Sequence, residues 1–200
     1  METNKTLDLT AEAKKYTYAE YKAGTEKQVN EGMCATPELL EYTKLNLQRM
    51  KRLDKTVSLR PEVTEALEKL NRKLQWVVIS EGWCGDAAQN VPVLAKIAEA
   101  SEGKITLEFV LRDQNLELMD LYLTNGGRSI PKLICFDADT QEELGTWGPR
   151  PAAAQEMFIR LKNEGVPKDE FISAVHTWYS NDKTQSMQME CAELLENCNR

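Results

Sequence analysis

A chain of 200 residues is long enough for one sizeable hydrophobic core, or for a compact domain wrapped by extra helices. Its 42% hydrophobic and 28% charged residues are ordinary for a globular protein and exclude a disordered or fibrous one. A net charge of −7, with no basic stripe interleaved with aromatics, argues against nucleic acid and anionic membrane surfaces as partners.

Met1 to Ala11 mixes acids, lysines and threonines without the apolar stretch of a secretory signal. No apolar run exceeds about the length of Trp76-Val77-Val78-Ile79, far short of the ~20 residues that cross a bilayer. A cytoplasmic protein is therefore expected. The cysteines, Cys34, Cys84, Cys135, Cys191 and Cys198, are odd in number and dispersed, without any C-x-x-C pair, unlike a disulfide framework. With His176 as the one histidine, a structural zinc site has too few ligands, and no metal is expected.

Thr17-Tyr18-Ala19-Glu20 has the spacing of a capping box, and Thr36-Pro37-Glu38 sets a cap, a proline and an acid where a second helix begins. That second helix carries Leu39, Leu40, Leu47, Met50 and Leu53 and fades near Lys55 to Ser58. Pro61 opens a third, with Val63, Ala66, Leu67, Leu70 and Leu74 on one face. From Gln75 the texture becomes that of a buried strand. A helical stripe of Val91, Leu94, Ala95 and Ala98 then runs to about Ser101, before the stop at Gly103. Ile105 to Leu111 reads as a strand and Leu116 to Leu123 as a short helix. Leu133 to Phe136 and Glu143 to Trp147 make a hairpin through Asp137 to Thr140. Ala152 to Lys162 closes this core, and two more helical stripes follow: Phe171, Ile172, Val175, Trp178 and Tyr179, then Met187, Cys191, Leu194, Leu195 and Cys198. Crossovers followed by a hairpin imply an α/β fold, a mixed central sheet with helices on both faces and added helices at both ends. We divide the chain into an N-terminal helical extension (1–74), a core domain (75–165) and a C-terminal helical extension (166–200).

Trp83-Cys84-Gly85-Asp86-Ala87 stands at the junction of the first core strand and its helix. This segment resembles the thioredoxin superfamily, in which a Trp-Cys-Gly-Pro-Cys stretch occupies that junction. Pro92 falls where that family kinks the helix, and Ser129-Ile130-Pro131-Lys132 resembles its cis-proline segment. Asp113-Gln114-Asn115 and Gly148 also fit, so the resemblance covers Gln75 to about Asn163. Two departures agree with each other. Ala87 replaces the second cysteine, and Val78 replaces the buried aspartate that would help deprotonate it. The motif Trp-Cys-Gly-Asp-Ala-Ala-Gln is similar to that of bacterial single-cysteine thioredoxin-like proteins with helical extensions.

The resemblance implies thiol-disulfide exchange through Cys84 alone, with a protein disulfide or a low-molecular-weight thiol as partner and no organic cofactor. Cys84 and Asp86 are the candidate catalytic residues, and Trp83, Gly85, Ile130, Pro131, Trp147 and Gly148 the candidate substrate groove. The alternative is a binding module that holds a partner protein beside Cys84 and Pro131 without turnover. A bridged iron–sulfur cluster, as in single-cysteine glutaredoxins, shares only the Cys-Gly start. At a helix N-terminus the thiol pKa is expected to fall below its free value, while Asp86 opposes that fall. Helix capping is the simpler role for Asp86. Packing is the simpler role for Cys135, Cys191 and Cys198, and Cys34 is a loop thiol; any of the four would have to reach Cys84 to resolve a disulfide there. His176 reads as a boundary residue. Arg112, Arg128 and Arg150 are either solvated charges or a grip for the carboxylates of a small thiol.

Overall fold

The computed structural model describes residues 10–199, and Thr17 caps the first long helix. Its hydroxyl accepts from the Glu20 amide while the Glu20 carboxylate accepts from the Thr17 amide, and this reciprocal cap opens α1 (Tyr18–Glu31). Gly32, with φ of 66°, ends it. Thr36 caps α2 (Pro37–Thr56), and Pro61 starts α3 (Pro61–Lys69). The chain then enters β1 (Leu74–Ser80), α4 (Gly85–Ala100) and β2 (Ile105–Leu111). A 3-10 turn and the short α5 (Leu116–Asp120) lead to β3 (Lys132–Asp137) and β4 (Glu143–Trp147). Three helices follow: α6 (Ala152–Asn163), α7 (Lys168–Asp182) and α8 (Gln185–Cys198).

The four strands form one mixed sheet in the order β2-β1-β3-β4. β1 runs parallel to β2 through α4 and antiparallel to β3, and β3 turns back into β4, with a register shift between Cys135 and Phe136. Helices cover the sheet on both sides, as the alternation of crossovers and hairpin implied. β1 is the most enclosed strand: Trp76, Val77, Val78 and Ile79 are all fully buried, which explains its unbroken apolar run. Val78 sits between Phe109 and Leu133 in register, an entirely apolar site.

Two boundaries differ from the sequence reading. Leu70 and Leu74 leave the α3 stripe. The Lys104 ammonium caps the carbonyls of Leu67 and Leu70, and Leu74 donates to the Lys104 carbonyl, so pairing with β2 takes over from helix periodicity. α5 stops at Asp120 rather than Leu123, because Thr124 and Gly127 exchange backbone hydrogen bonds and turn the chain.

The N-terminal helices are tied to the loop that follows β1. Tyr21 of α1 stacks on Phe109 with ring centroids 4.9 Å apart and shares a hydrogen bond with Ser80. Asn46 of α2, fully buried, donates to the Gly82 carbonyl at 3.1 Å. Gly82 has no room for a side chain, since a Cβ there would lie 2.7 Å from Thr25. At the other end α8 seats on β4, where Leu194 reaches Gly145, and Cys198 brings its sulfur 3.5 Å from that of Cys135. Among the described residues no helix is long and apolar enough to cross a membrane.

Candidate active site

Cys84 is the N-cap of α4. Its sulfur accepts from the Ala87 amide at 3.4 Å and its S–H donates to the Ile130 carbonyl at 3.2 Å, so the thiol bridges the helix start and the segment before β3. The Ile130–Pro131 peptide is cis, as is Gly148–Pro149. Only 7% of Cys84 is exposed. Burial pushes the thiol up to about 12, and Asp86 pushes in the same direction, against the amides of Ala87 and Asp86 and the charge of Arg150. This corrects the expectation of a lowered pKa. The helix N-terminus does favour the thiolate, but loss of hydration from a nearly enclosed sulfur outweighs it.

Asp86 is not the cap. Its side chain turns inward, where one oxygen takes the Arg150 guanidinium at 2.5 Å and the other accepts from the Tyr179 hydroxyl at 2.9 Å. Asn90 joins this group, donating to the Asp86 carbonyl and to the Tyr179 oxygen. With side-chain exposures of 11% for Arg150 and 13% for Asp86, the pair is nearly removed from water. Arg150 is fixed further by Gln155 and by lying 4.1 Å over the Phe158 ring. The residue that sequence reasoning treated as a cap thus joins α4 to α7 and to the segment just before α6.

A cavity of about 340 Å³ opens over this site. Trp83, Cys84, Gly85, Asp86 and Ile130 line it. Pro131 is buried and does not line the cavity. Trp147 and Gly148 are placed away from the cavity: the Trp147 indole is buried and donates to Glu190 of α8, and the Gly148 carbonyl accepts from the buried Lys132. Gly148 has φ of 109°, and a Cβ there would come within 2.3 Å of the Pro131 carbonyl oxygen, so its small size permits backbone against backbone. The remaining wall comes from the helices outside the motif. α2 supplies Leu39, Tyr42, Asn46 and Arg49, and α7 supplies Lys168, Ile172, Val175 and His176.

Arg49 and His176 are residues that sequence analysis did not single out for this site. The His176 ring lies against Gly85, where a Cβ would sit 3.0 Å from Cε1, and its Nδ1 is buried without a hydrogen-bond partner. Burial, then the Arg49 charge, lower its pKa against the pull of Asp86, and this net shift favours the neutral imidazole. The available signal was the spacing 39, 42, 46, 49 on one helix and 168, 172, 175, 176 on another, each a single face; nothing in either sequence says which cavity that face lines. Glu81 is a further buried carboxyl, accepting from the Asp113 amide at 2.9 Å, with a pKa raised by burial. Cys84 is the cysteine that lines the cavity. Cys135, Cys191 and Cys198 are buried elsewhere, and Cys34 contacts Thr43. Among the described residues no cluster of three or more His, Cys, Asp or Glu side chains is arranged for a metal.

A family model described as thioredoxin matches residues 32–163, a span that takes in α2 and α3 as well as the sheet. No curated protein matches the chain. Among solved structures, a protein of unknown function from Pseudomonas aeruginosa superposes with a TM-score of 0.57 at 18% identity, covering 90% of this chain and 98% of that one. An HIV epitope-scaffold superposes with a TM-score of 0.54 at 17% identity over the same shares. At these identities the likeness is one of fold.

Proposed function

The chain belongs to the thioredoxin family, and from that premise we propose that it carries out thiol-disulfide exchange through Cys84 alone, with an external thiol completing the cycle. The observation that carries this reading is the position of the sulfur: Cys84 caps α4 in the wall of the cavity, while Ala87 removes any internal partner within the motif. In the forward step the Cys84 thiolate attacks one sulfur of a disulfide, a mixed disulfide forms, and the displaced thiolate takes up a proton. A second thiol then attacks the mixed disulfide, returns Cys84 as a thiol and carries the other half away in a new disulfide. Its Trp-Cys-Gly-Asp-Ala-Ala-Gln motif, similar to that of bacterial single-cysteine thioredoxin-like proteins, supports the single-thiol form of this reading.

Disulfide reduction coupled to a small thiol, compared between wild type and Cys84→Ala, tests this. Activity lost in the variant upholds the reading, and activity retained removes it. The raised thiol pKa favours a second reading, in which the cavity holds a partner without turnover. Equal partner binding by wild type and Cys84→Ser, without adduct formation, would support that one.

A further inference from the structure

We propose that the cavity over Cys84 binds a small, carboxylate-bearing disulfide or thiol, with Arg49 and Lys168 taking its negative charges. This inference rests on Cys84 as the reacting atom for its chemistry, but its charge argument stands apart from that.

Five cationic side chains line the cavity, Arg49, Arg112, Arg128, Arg150 and Lys168, against the single carboxylate of Asp86. Such a concentration is unexpected in a chain of net charge −7. Three of the five are already neutralised: Arg150 by Asp86, Arg112 by Asp113 and Arg128 by Asp120. Arg49 and the exposed Lys168 form no ion pair among the described residues, and the Asp86 charge that reaches Arg49 is already paired with Arg150, so two positive charges remain after the ion pairs are subtracted. Arg49 is half-buried and, among the described residues, hydrogen-bonds only the side-chain oxygen of Asn46, at 3.0 Å. A guanidinium drawn partly out of water without an ion-pair partner of its own is unfavourable and gains when an anion arrives.

Two of the lining residues also carry buried polar atoms that lack partners, Arg150 Nε and His176 Nδ1. Buried groups of this kind are uncommon in folded proteins, and here both belong to residues of the cavity wall. The apolar part of the wall, Leu39, Trp83, Ile130, Phe158 and Ile172, suits a short carbon chain between the charged groups. A volume of about 340 Å³ is that of a small-molecule site. With α2 on one side and α7 on the other, the ligand is a small molecule rather than a folded protein.

Three disulfides of similar length separate charge from thiol chemistry: dithiodipropionate (a dianion), hydroxyethyl disulfide (uncharged) and cystamine (a dication). Adduct formation at Cys84 is followed by peptide mass, with each rate divided by the rate for the urea-unfolded chain. The dianion should be favoured over the uncharged reagent by about tenfold or more, the scale of field focusing in a charged cleft. That preference should collapse in the Arg49→Gln/Lys168→Gln double variant, and in about 0.5 M salt, where screening acts within a few ångströms. Calorimetry with Cys84→Ser should show saturable binding of dithiodipropionate without reaction. Equal normalised rates for the three reagents would overturn the anion assignment and leave Cys84 exchange standing. Saturable binding to Cys84→Ser that depends on Arg49 and Lys168, with no adduct in wild type, would uphold the anion site and remove the exchange reading. Absence of both overturns this proposal.

Discussion

Replacing Asp86 with Asn tests what holds the Cys84 thiol protonated. With a pKa pushed up to about 12, only about one thiol in ten thousand is ionised at pH 8. A like charge a few ångströms away is worth about 1–3 pKa units, and removing Asp86 also frees the Arg150 charge to act on the sulfur. At the low end of that range the thiolate population, and with it the alkylation rate, rises about tenfold; in the middle, about a hundredfold. Asn keeps an acceptor for Tyr179, and Arg150 keeps Gln155 and Phe158. The variant should therefore lose about 3 kcal/mol of stability, the lower end for a broken buried pair. Iodoacetamide rates are measured on the Cys84 peptide by mass spectrometry, so the other four cysteines stay in place. Arg150→Gln is the control: it breaks the same pair but leaves the negative partner, and should slow the reaction. If both variants accelerate it, loosening of the site is the cause and the electrostatic reasoning fails. An unchanged rate in folded Asp86→Asn refutes it equally.

Three further outcomes follow from the same geometry. His176 is the one histidine of the chain, so its imidazole titration by NMR is unambiguous; its midpoint should lie below the ordinary value and rise in Arg49→Gln, and a midpoint at or above ~6.5 would contradict the burial described. Gly148→Ala should destabilise the fold by about 3 kcal/mol or more, since φ of 109° and the 2.3 Å approach to Pro131 both oppose a Cβ; a loss under about 1 kcal/mol in urea unfolding would argue against that approach. Above pH ~9 stability should fall, because the folded chain keeps protons on the buried Cys84 and Cys191 thiols that the unfolded chain releases. At about 1.4 kcal/mol per pH unit for each group, some 2–4 kcal/mol should be gone by pH 10, and an unchanged urea midpoint would refute it.

The local elements were legible in the amino-acid sequence because each is governed by short-range chemistry. The capping box at Thr17, the proline openings at Pro37 and Pro61, the apolar run of β1 and the hairpin at Asp137 are decided within a few residues. The motif around Cys84 placed a thiol at a strand-to-helix junction in the same way. Tertiary structure alone decided the rest. A helical stripe says that a face is apolar but not what it meets, so only the folded chain puts Arg49 and His176 beside Gly85 and carries Trp147 off under α8. The state of the Cys84 sulfur turned on the same distinction. The helix N-terminus that favours its ionisation is a local feature, whereas the burial that overrides it comes from the chain packed around it, and the two could be weighed only once the distant residues were in place.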